Sequence, residues 1–398
     1  MIGTDTNLAV RGVPVDDAAY KSVVAGTHRT CAPERTLARI VPLLPRMGIT
    51  RLSDVTWLDD IGVPVFQAVR PNSYTISVSQ GKGLTPDLAK VSAAMESIET
   101  WHAERLPPGD TRDTVAAIAP ELDYGLDELP LLPRHHLNPG ATVEWGRARR
   151  LIDGTDTLVP MECLRLDGRT SARWQLPLFH TTSNGLASGN TVGEATLHAL
   201  YEVIERDAIA RAATADGTVV VDLDSVGGDA AELIERLRAA EVAVRVDVLP
   251  SPTGVACVRA RIVSDAFPYV FEGMGAHLDR DVAFCRAVTE AVQSRVTAIS
   301  GARDDMRGDW YRRAGLVAAG RSGTPDLEPL YRNPVRTAFG DVPSVRHATL
   351  GEDLTRVAHL VRGHTGRDPL VVDHTRPDIG IAVVRVVCPG LRYNPEAG

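Results

Sequence analysis

Apolar positions along the chain keep two rhythms. In residues 33–47, 85–104, 190–211, 230–240 and 281–299 they recur every three or four residues, which predicts helices. Thr85-Pro86-Asp87 supplies a start signal, with threonine as the cap and proline at the first helical position. Residues 61–79, 151–166, 219–223, 242–249, 255–262, 268–271 and 379–388 read as strands, and the alternation is plainest in Tyr74-Thr75-Ile76-Ser77-Val78. Gly81-Lys82-Gly83 breaks that pattern. Residues 219–249 read as a β-α-β unit. Residues 106–150 are rich in Pro and Gly and poorly periodic, so they read as a surface excursion, and residues 320–345 read as loop. No repeat or low-complexity linker divides the chain. The expectation is an α/β (α+β mixed) fold in one domain spanning residues 1–398.

Three of the helices collect polar groups on one face. Ser92, Glu96 and Glu99 are spaced by four and three. The next carries Asn190, Glu194, His198, Glu202, Glu205 and Arg206. At about 100° per residue, Glu194 and Glu205 lie about 20° apart and Glu202 about 80° from Glu194. The third carries Arg286, Glu290 and Gln293, with Arg295 nearby. Stacked carboxylates repel, far more strongly when buried. Mg²⁺ offsets that repulsion, takes oxygen ligands, and shares them with substrate phosphates. Glu96, Glu99, Glu202 and Glu205 could hold two such ions over a triphosphate, with Arg206 and Arg295 meeting phosphate oxygens. Plainer readings stand beside this one. Thr191-x-x-Glu194 fits a capping box, Glu205-Arg206 fits a surface pair, and a single glutamate is more often solvated than catalytic.

Composition narrows the partners. The formal net charge of −8 argues against nucleic acid. Lys21, Lys82 and Lys90 are the only lysines, which draws notice to Lys82 between two glycines. Five scattered cysteines form no C-x-x-C motif, and their odd number suits a reducing cytoplasm. Residues 1–11 lack the pattern of a signal peptide. The longest apolar run, residues 379–387, contains Arg385 and is too short to span a bilayer. The expected setting is the cytoplasm, with no membrane partner.

At the acidic helices the chain resembles the YcaO family, from about residue 29 to residue 305. Ser92-x3-Glu96-x2-Glu99 is similar to the family's first ATP motif. Asn190-x3-Glu194-x7-Glu202-x2-Glu205-Arg206 matches the second at every spacing, and Glu290-x2-Gln293-x-Arg295 resembles the third. Connecting phrases agree: Arg70-Pro71-Asn72-Ser73, Ser79-Gln80-Gly81-Lys82-Gly83, Ser183-Asn184-Gly185-Leu186 and Arg303-Asp304-Asp305. It is not a P-loop, because position 76 is Ile where a glycine would stand. The resemblance implies a YcaO-type fold with mixed sheets and long acidic helices forming an ATP and Mg²⁺ site. It implies cofactor contacts from Ser92, Glu96, Glu99, Asn190, Glu194, Glu202, Glu205, Arg206, Glu290, Gln293 and Arg295. Glu96, Glu99, Glu194, Glu202 and Glu205 would be metal ligands. Lys82 is the candidate catalytic residue, an exposed turn lysine being the other reading.

Family members phosphorylate the oxygen of a backbone amide in a peptide, so that a nucleophile can add to the carbon. Two departures bear on the product. Thr100 follows Glu99 where an arginine is usual, and the chain ends Tyr393-Asn394-Pro395-Glu396-Ala397-Gly398 rather than in the Pro-x-Pro-x-Pro tail of azoline-forming members. Gly48-Ile49-Thr50, residues 70–83 and residues 299–305 are most similar to members that work beside a TfuA-type partner. Thioamide formation on a ribosomally made precursor peptide, with such a partner and in a homodimer, is therefore expected. Azoline or amidine formation is the alternative, and a non-catalytic peptide-binding module the second alternative.

Overall fold

A computed structural model describes residues 10–14, 20–24, 26–169, 176–214, 218–304 and 335–394. Its helices are α1 (Pro33–Ile40), α2 (Pro86–Ala103), α3 (Val115–Ile118), α4 (Val192–Ala212), α5 (Gly228–Ala239), α6 (Arg280–Ser300) and α7 (Leu350–Thr365). The expected mixture of helix and sheet is what the chain adopts. A three-stranded antiparallel sheet joins Arg51–Asp54, Val65–Val69 and Val78–Lys82. A second sheet runs in the order Thr111–Thr114, Thr142–Arg150, Leu370–Asp373, Ala382–Val387, Leu186–Gly189, with Asp156–Pro160 also paired to Thr142–Arg150. A third runs Phe267–His277, Ala256–Ser264, Ala243–Val248, Val219–Asp222, Arg336–Ala338, and only its last pairing is parallel.

The three long acidic helices start and stop where their signals stand. Thr85 Oγ1 accepts from Leu88 N at 3.3 Å to open α2, and Thr191 Oγ1 accepts from Glu194 N at 3.1 Å to open α4. Asp279 caps α6, and Gly301 ends it at φ 58°. Their apolar faces form the cores. Ala93 and Ile98 of α2 pack with Phe66, Ile381 and Val383. Leu200 and Ile204 of α4 pack with Val384, Val386 and Leu354. Phe284, Val288 and Val292 of α6 pack with Val258, Ile262 and Phe271.

Each helix lies unusually close to a strand, and a glycine makes room. A Cβ on Gly81 would sit 1.9 Å from Ala93 N, one on Gly189 2.6 Å from Ala195 N, and one on Gly273 2.1 Å from Ala291 N. Such separations leave no space for any side chain. Gly81 and Lys82 therefore belong to the strand Val78–Lys82 rather than breaking it.

Several expectations are corrected. Strands Val219–Asp222 and Ala243–Val248 pair antiparallel, so their segment is not a parallel β-α-β unit. Residues 70–77 form no strand. Arg70 pairs with Glu104, Thr75 donates to Glu104, and Ser77 N donates to Asp304, so the loop is tied down by side chains. Residues 142–150 form a nine-residue strand inside the second sheet, not a surface excursion. The helix expected over 33–47 is α-helical only to Ile40 and tightens to a 3₁₀ turn at Val41–Met47, where Pro42 and Pro45 interrupt the ladder. Helix α7, with a capping box of Thr349 and Glu352, was not anticipated. Most of the expected loop 320–345 lies outside the described residues, but Arg336–Ala338 within it is a strand. No helix among the described residues is long and apolar enough to cross a membrane.

Candidate active site

Five carboxylates from α2, α4 and α6 meet in one closed circuit of repulsion. Burial is the largest influence on each, and neighbouring charges and hydrogen bonds modify it. Burial pushes Glu96 up to about 7, with Glu290 adding to the rise. It pushes Glu99 up to about 8, helped by the charges of Glu96 and Glu202. It pushes Glu202 up to about 7, helped by Glu205. Glu205 is raised by burial and then by Glu290. The ring thus runs Glu96, Glu99, Glu202, Glu205, Glu290 and back to Glu96. Each helix contributes an adjacent pair or a single group, as spacings of three on one face dictate.

Cations surround the ring without neutralising it. Lys82 touches Glu290 through Nζ. At Glu290 burial pulls upward, but that ammonium wins and holds the carboxylate below its ordinary range. Burial works against the charge of Arg206, yet Glu205, Glu202 and Glu290 together raise it. Arg286 acts on Glu202, Glu205 and Glu290, and its Nη2 donates to His198 Nε2 at 3.0 Å. His198, lowered well below its usual value by burial and then by Arg286, Arg29 and Lys82, is neutral and accepts that bond. Glu99 is steered from the other side: its Oε1 accepts from Ser188 N at 2.8 Å and Ser188 Oγ at 2.6 Å. All the ring donors are oxygens, carboxylates that protons or hard divalent cations must neutralise. This fits Mg²⁺ rather than a soft or nitrogen-seeking metal.

The family model for YcaO cyclodehydratases, described as ATP- and Mg²⁺-binding, matches residues 80–392. The chain belongs to the YcaO family. Its cofactors are ATP and Mg²⁺. An uncharacterized protein of Mycobacterium tuberculosis is 40% identical over 374 residues, covering 92% of this chain and 83% of that one. An uncharacterized protein from the tfuA 3′ region of Rhizobium leguminosarum bv. trifolii is 33% identical over 381 residues, covering 92% and 89%. The fold is similar to that of YcaO from Methanopyrus kandleri bound with AMPPCP and Mg²⁺. That match has a TM-score of 0.74 and 24% identity, covering 95% of this chain and 97% of that one.

The YcaO motif residues divide into two groups. Glu96, Glu99, Glu202, Glu205, Glu290, Arg206 and Lys82 converge. Ser92 lies half-buried one turn before Glu96, where α2 touches Gly81, and Gln293 lies half-buried one turn beyond Glu290. Glu194 does not join the ring. It shares a wheel stripe with Glu205, but eleven residues of helix separate them by about 16 Å along the axis. Its oxygens accept from Thr30 N at 2.8 Å, Thr30 Oγ1 at 2.6 Å and Asn190 Nδ2 at 3.1 Å, and Arg29 stands 3.9 Å away. Glu194 and Asn190 thus form a neighbouring polar station at the start of α4, joined to the ring through Arg29, which also feels Glu99.

Arg295 is not brought to the site. Its Nε donates to Asp59 at 2.8 Å and its Nη1 to Ser264 at 2.8 Å, while the guanidinium lies over Phe267. Five residues past Glu290 is about 140° round the helix, so the side chain faces the far side. Conversely, Arg303 acts on Glu96 and Arg385 on Glu202, and neither was singled out as a site residue. A lone arginine in the apolar run 379–387 was the available signal for Arg385. His28, His277 and Asp353 also place ligand atoms within 4.8 Å of one another. There, however, Lys21 Nζ sits 2.5 Å from Asp353, and His277 Nδ1 already accepts from Asp279 N at 2.9 Å. That leaves the proton on His277 Nε2 and Asp353 ion-paired with Lys21, while His28 Nδ1 has no partner among the described residues.

Proposed function

We propose that this chain uses ATP to phosphorylate a backbone amide oxygen in a ribosomally made peptide, and that hydrosulfide then converts the amide to a thioamide. The observation that carries the reading is the closed ring of Glu96, Glu99, Glu202, Glu205 and Glu290, whose mutual repulsion persists until a cation is shared. Mg²⁺ held there would offset the charge of the triphosphate. An amide is a poor electrophile because resonance delocalises its nitrogen lone pair. Transfer of the γ-phosphoryl group to its oxygen gives ADP and an O-phosphorylated imidate. The amide N–H proton leaves as the imidate forms; hydrosulfide then adds at the carbon, phosphate departs with the amide oxygen, and the thiol proton passes to nitrogen, restoring N–H beside C=S. Lys82, once released from Glu290, and Arg206 would meet phosphate oxygens; their contact with and pull from the ring carboxylates support this role. Positioning and charge stabilisation then do most of the catalysis.

The product and the partner rest on narrower support. The relative from the tfuA 3′ region favours a TfuA-type partner, and with it the thioamide. Ring closure with loss of water, giving an azoline or amidine, is the second reading, favoured by the family's description as cyclodehydratases. The family resemblance favours a homodimer. The test is the intact mass of a candidate precursor peptide after incubation with this protein, ATP, Mg²⁺ and sulfide, with and without a TfuA-type protein. Replacement of one oxygen by one sulfur supports the first reading. Loss of one water supports the second. An unchanged peptide together with no ATP hydrolysis refutes both.

A further inference from the structure

A pocket beside the carboxylate ring carries two unspent hydrogen-bonding groups. Cys163, His180, Asn184, Val203, Arg385 and Tyr393 are among its lining residues. Val203 follows Glu202 on α4, the charge of Arg385 acts on Glu202, and Tyr393 acts on Arg206. The pocket therefore opens next to the groups proposed to handle phosphate. Arg385 is 1% exposed. Its Nε donates to Cys163 O at 2.9 Å and its Nη2 donates to Thr182 O. Among the described residues its Nη1 has no partner, and neither has the buried Oδ1 of Asn184. Asn184 is held in place by the turn at Gly185, whose φ is 76° and whose Cβ position lies 2.2 Å from Val386 O.

A buried orphaned donor and a buried orphaned acceptor are each costly, and native proteins keep few of them. Here one is a donor N–H and the other an acceptor oxygen. A small anion would satisfy Arg385 but face the lone pairs of Asn184. A secondary amide satisfies both, with its C=O on the guanidinium and its N–H on the carboxamide oxygen. The two pocket thiols add no nucleophile: burial pushes the Cys163 thiol up to about 12 and raises that of Cys388 as well, so both stay protonated.

We infer that the Arg385–Asn184 pocket seats one main-chain amide of the peptide and so sets which neighbouring amide reaches the ring. The inference rests on the peptide-modifying reading above. The test uses the full-length protein with AMPPCP and Mg²⁺, and saturation-transfer NMR with N-acetylglycine N-methylamide as the probe. The comparison compound is the same molecule with both amide nitrogens methylated, which removes every N–H. Wild type is expected to prefer the N–H compound by about tenfold. Asn184→Leu, which keeps size and removes the unpartnered Oδ1, is expected to erase that preference. Equal binding of the two compounds, binding of neither, or a preference that survives in Asn184→Leu overturns the inference; a bridging water alone gives one of the first two. Titration of AMPPCP into the same samples reports separately on the nucleotide site. Loss of that binding in wild type would sink the ATP reading itself.

Discussion

Glu202 faces like charges on both sides, from Glu99 and Glu205. Replacing it with Gln would remove a proposed metal ligand and a repulsion together. Glu202→Gln is expected to lower ATP turnover by about 100-fold or more, while the melting temperature of the metal-free protein holds or rises. Turnover near the wild-type rate would remove Glu202 from the metal site. Arg295 makes the opposite prediction. Cutting a buried pair leaves Asp59 uncompensated, so Arg295→Ala is expected to cost about 3–5 kcal/mol in denaturant unfolding. The nucleotide KM of the folded fraction should not change. A raised KM with unchanged stability would return Arg295 to the phosphate site. Motif spacing named Arg295 together with Glu290 and Gln293, yet the same five-residue spacing turns it about 140° round α6 from Glu290, which the motif did not weigh. Arg385 was visible only as an oddity, because its role depends on the strand Ala382–Val387 lying beside α4, a contact nearly two hundred residues apart in sequence.

Helix–strand contacts set the ring's dimensions, and glycines set the contacts. Gly273 lets the backbone of α6 rest against its strand at the level of Glu290, and Gly81 does the same for α2 at Ser92. Gly273→Ala forces α6 outward. It is expected to cost about 1–3 kcal/mol and to reduce turnover by about 100-fold, since catalytic groups displaced by 1 Å lose that much. Full activity with unchanged stability would show that the close approach is dispensable. The long helices were legible because caps, period and length agreed. The strand glycines were not, since a glycine in a strand looks like a break until the helix lying on it is seen. This is why Phe267–His277 was expected to end at Phe271. Helix α7 carries ordinary start and stop signals in Thr349, Glu352 and Gly366, but it lies in a stretch where no acidic pattern drew the reading.

At the scale of the whole molecule, the ring stores an electrostatic penalty that depends on pH. The carboxyls of Glu96, Glu99 and Glu202 titrate near 7, 8 and 7 when folded, against 4.5 as ordinary glutamates. Between those values the folded chain binds more protons than the unfolded one, so stability falls as pH rises. In chelator the melting temperature is expected to drop from pH 5.5 to pH 8 through this ring. Mg²⁺ with AMPPCP should flatten the slope, because the cation replaces the protons. The interior that supports this arrangement is apolar on three fronts, one behind each acidic helix, so the polar faces are left to meet in one place.

The most direct measurement is calorimetric titration of AMPPCP at pH 7, with and without Mg²⁺, in two buffers of different ionisation enthalpy. The predicted result is Mg²⁺-dependent binding that releases protons to the buffer, with both features lost in Glu202→Gln. Binding of equal strength without Mg²⁺, or Mg²⁺-dependent binding with no proton release, would contradict a cation site built on the five buried carboxylates.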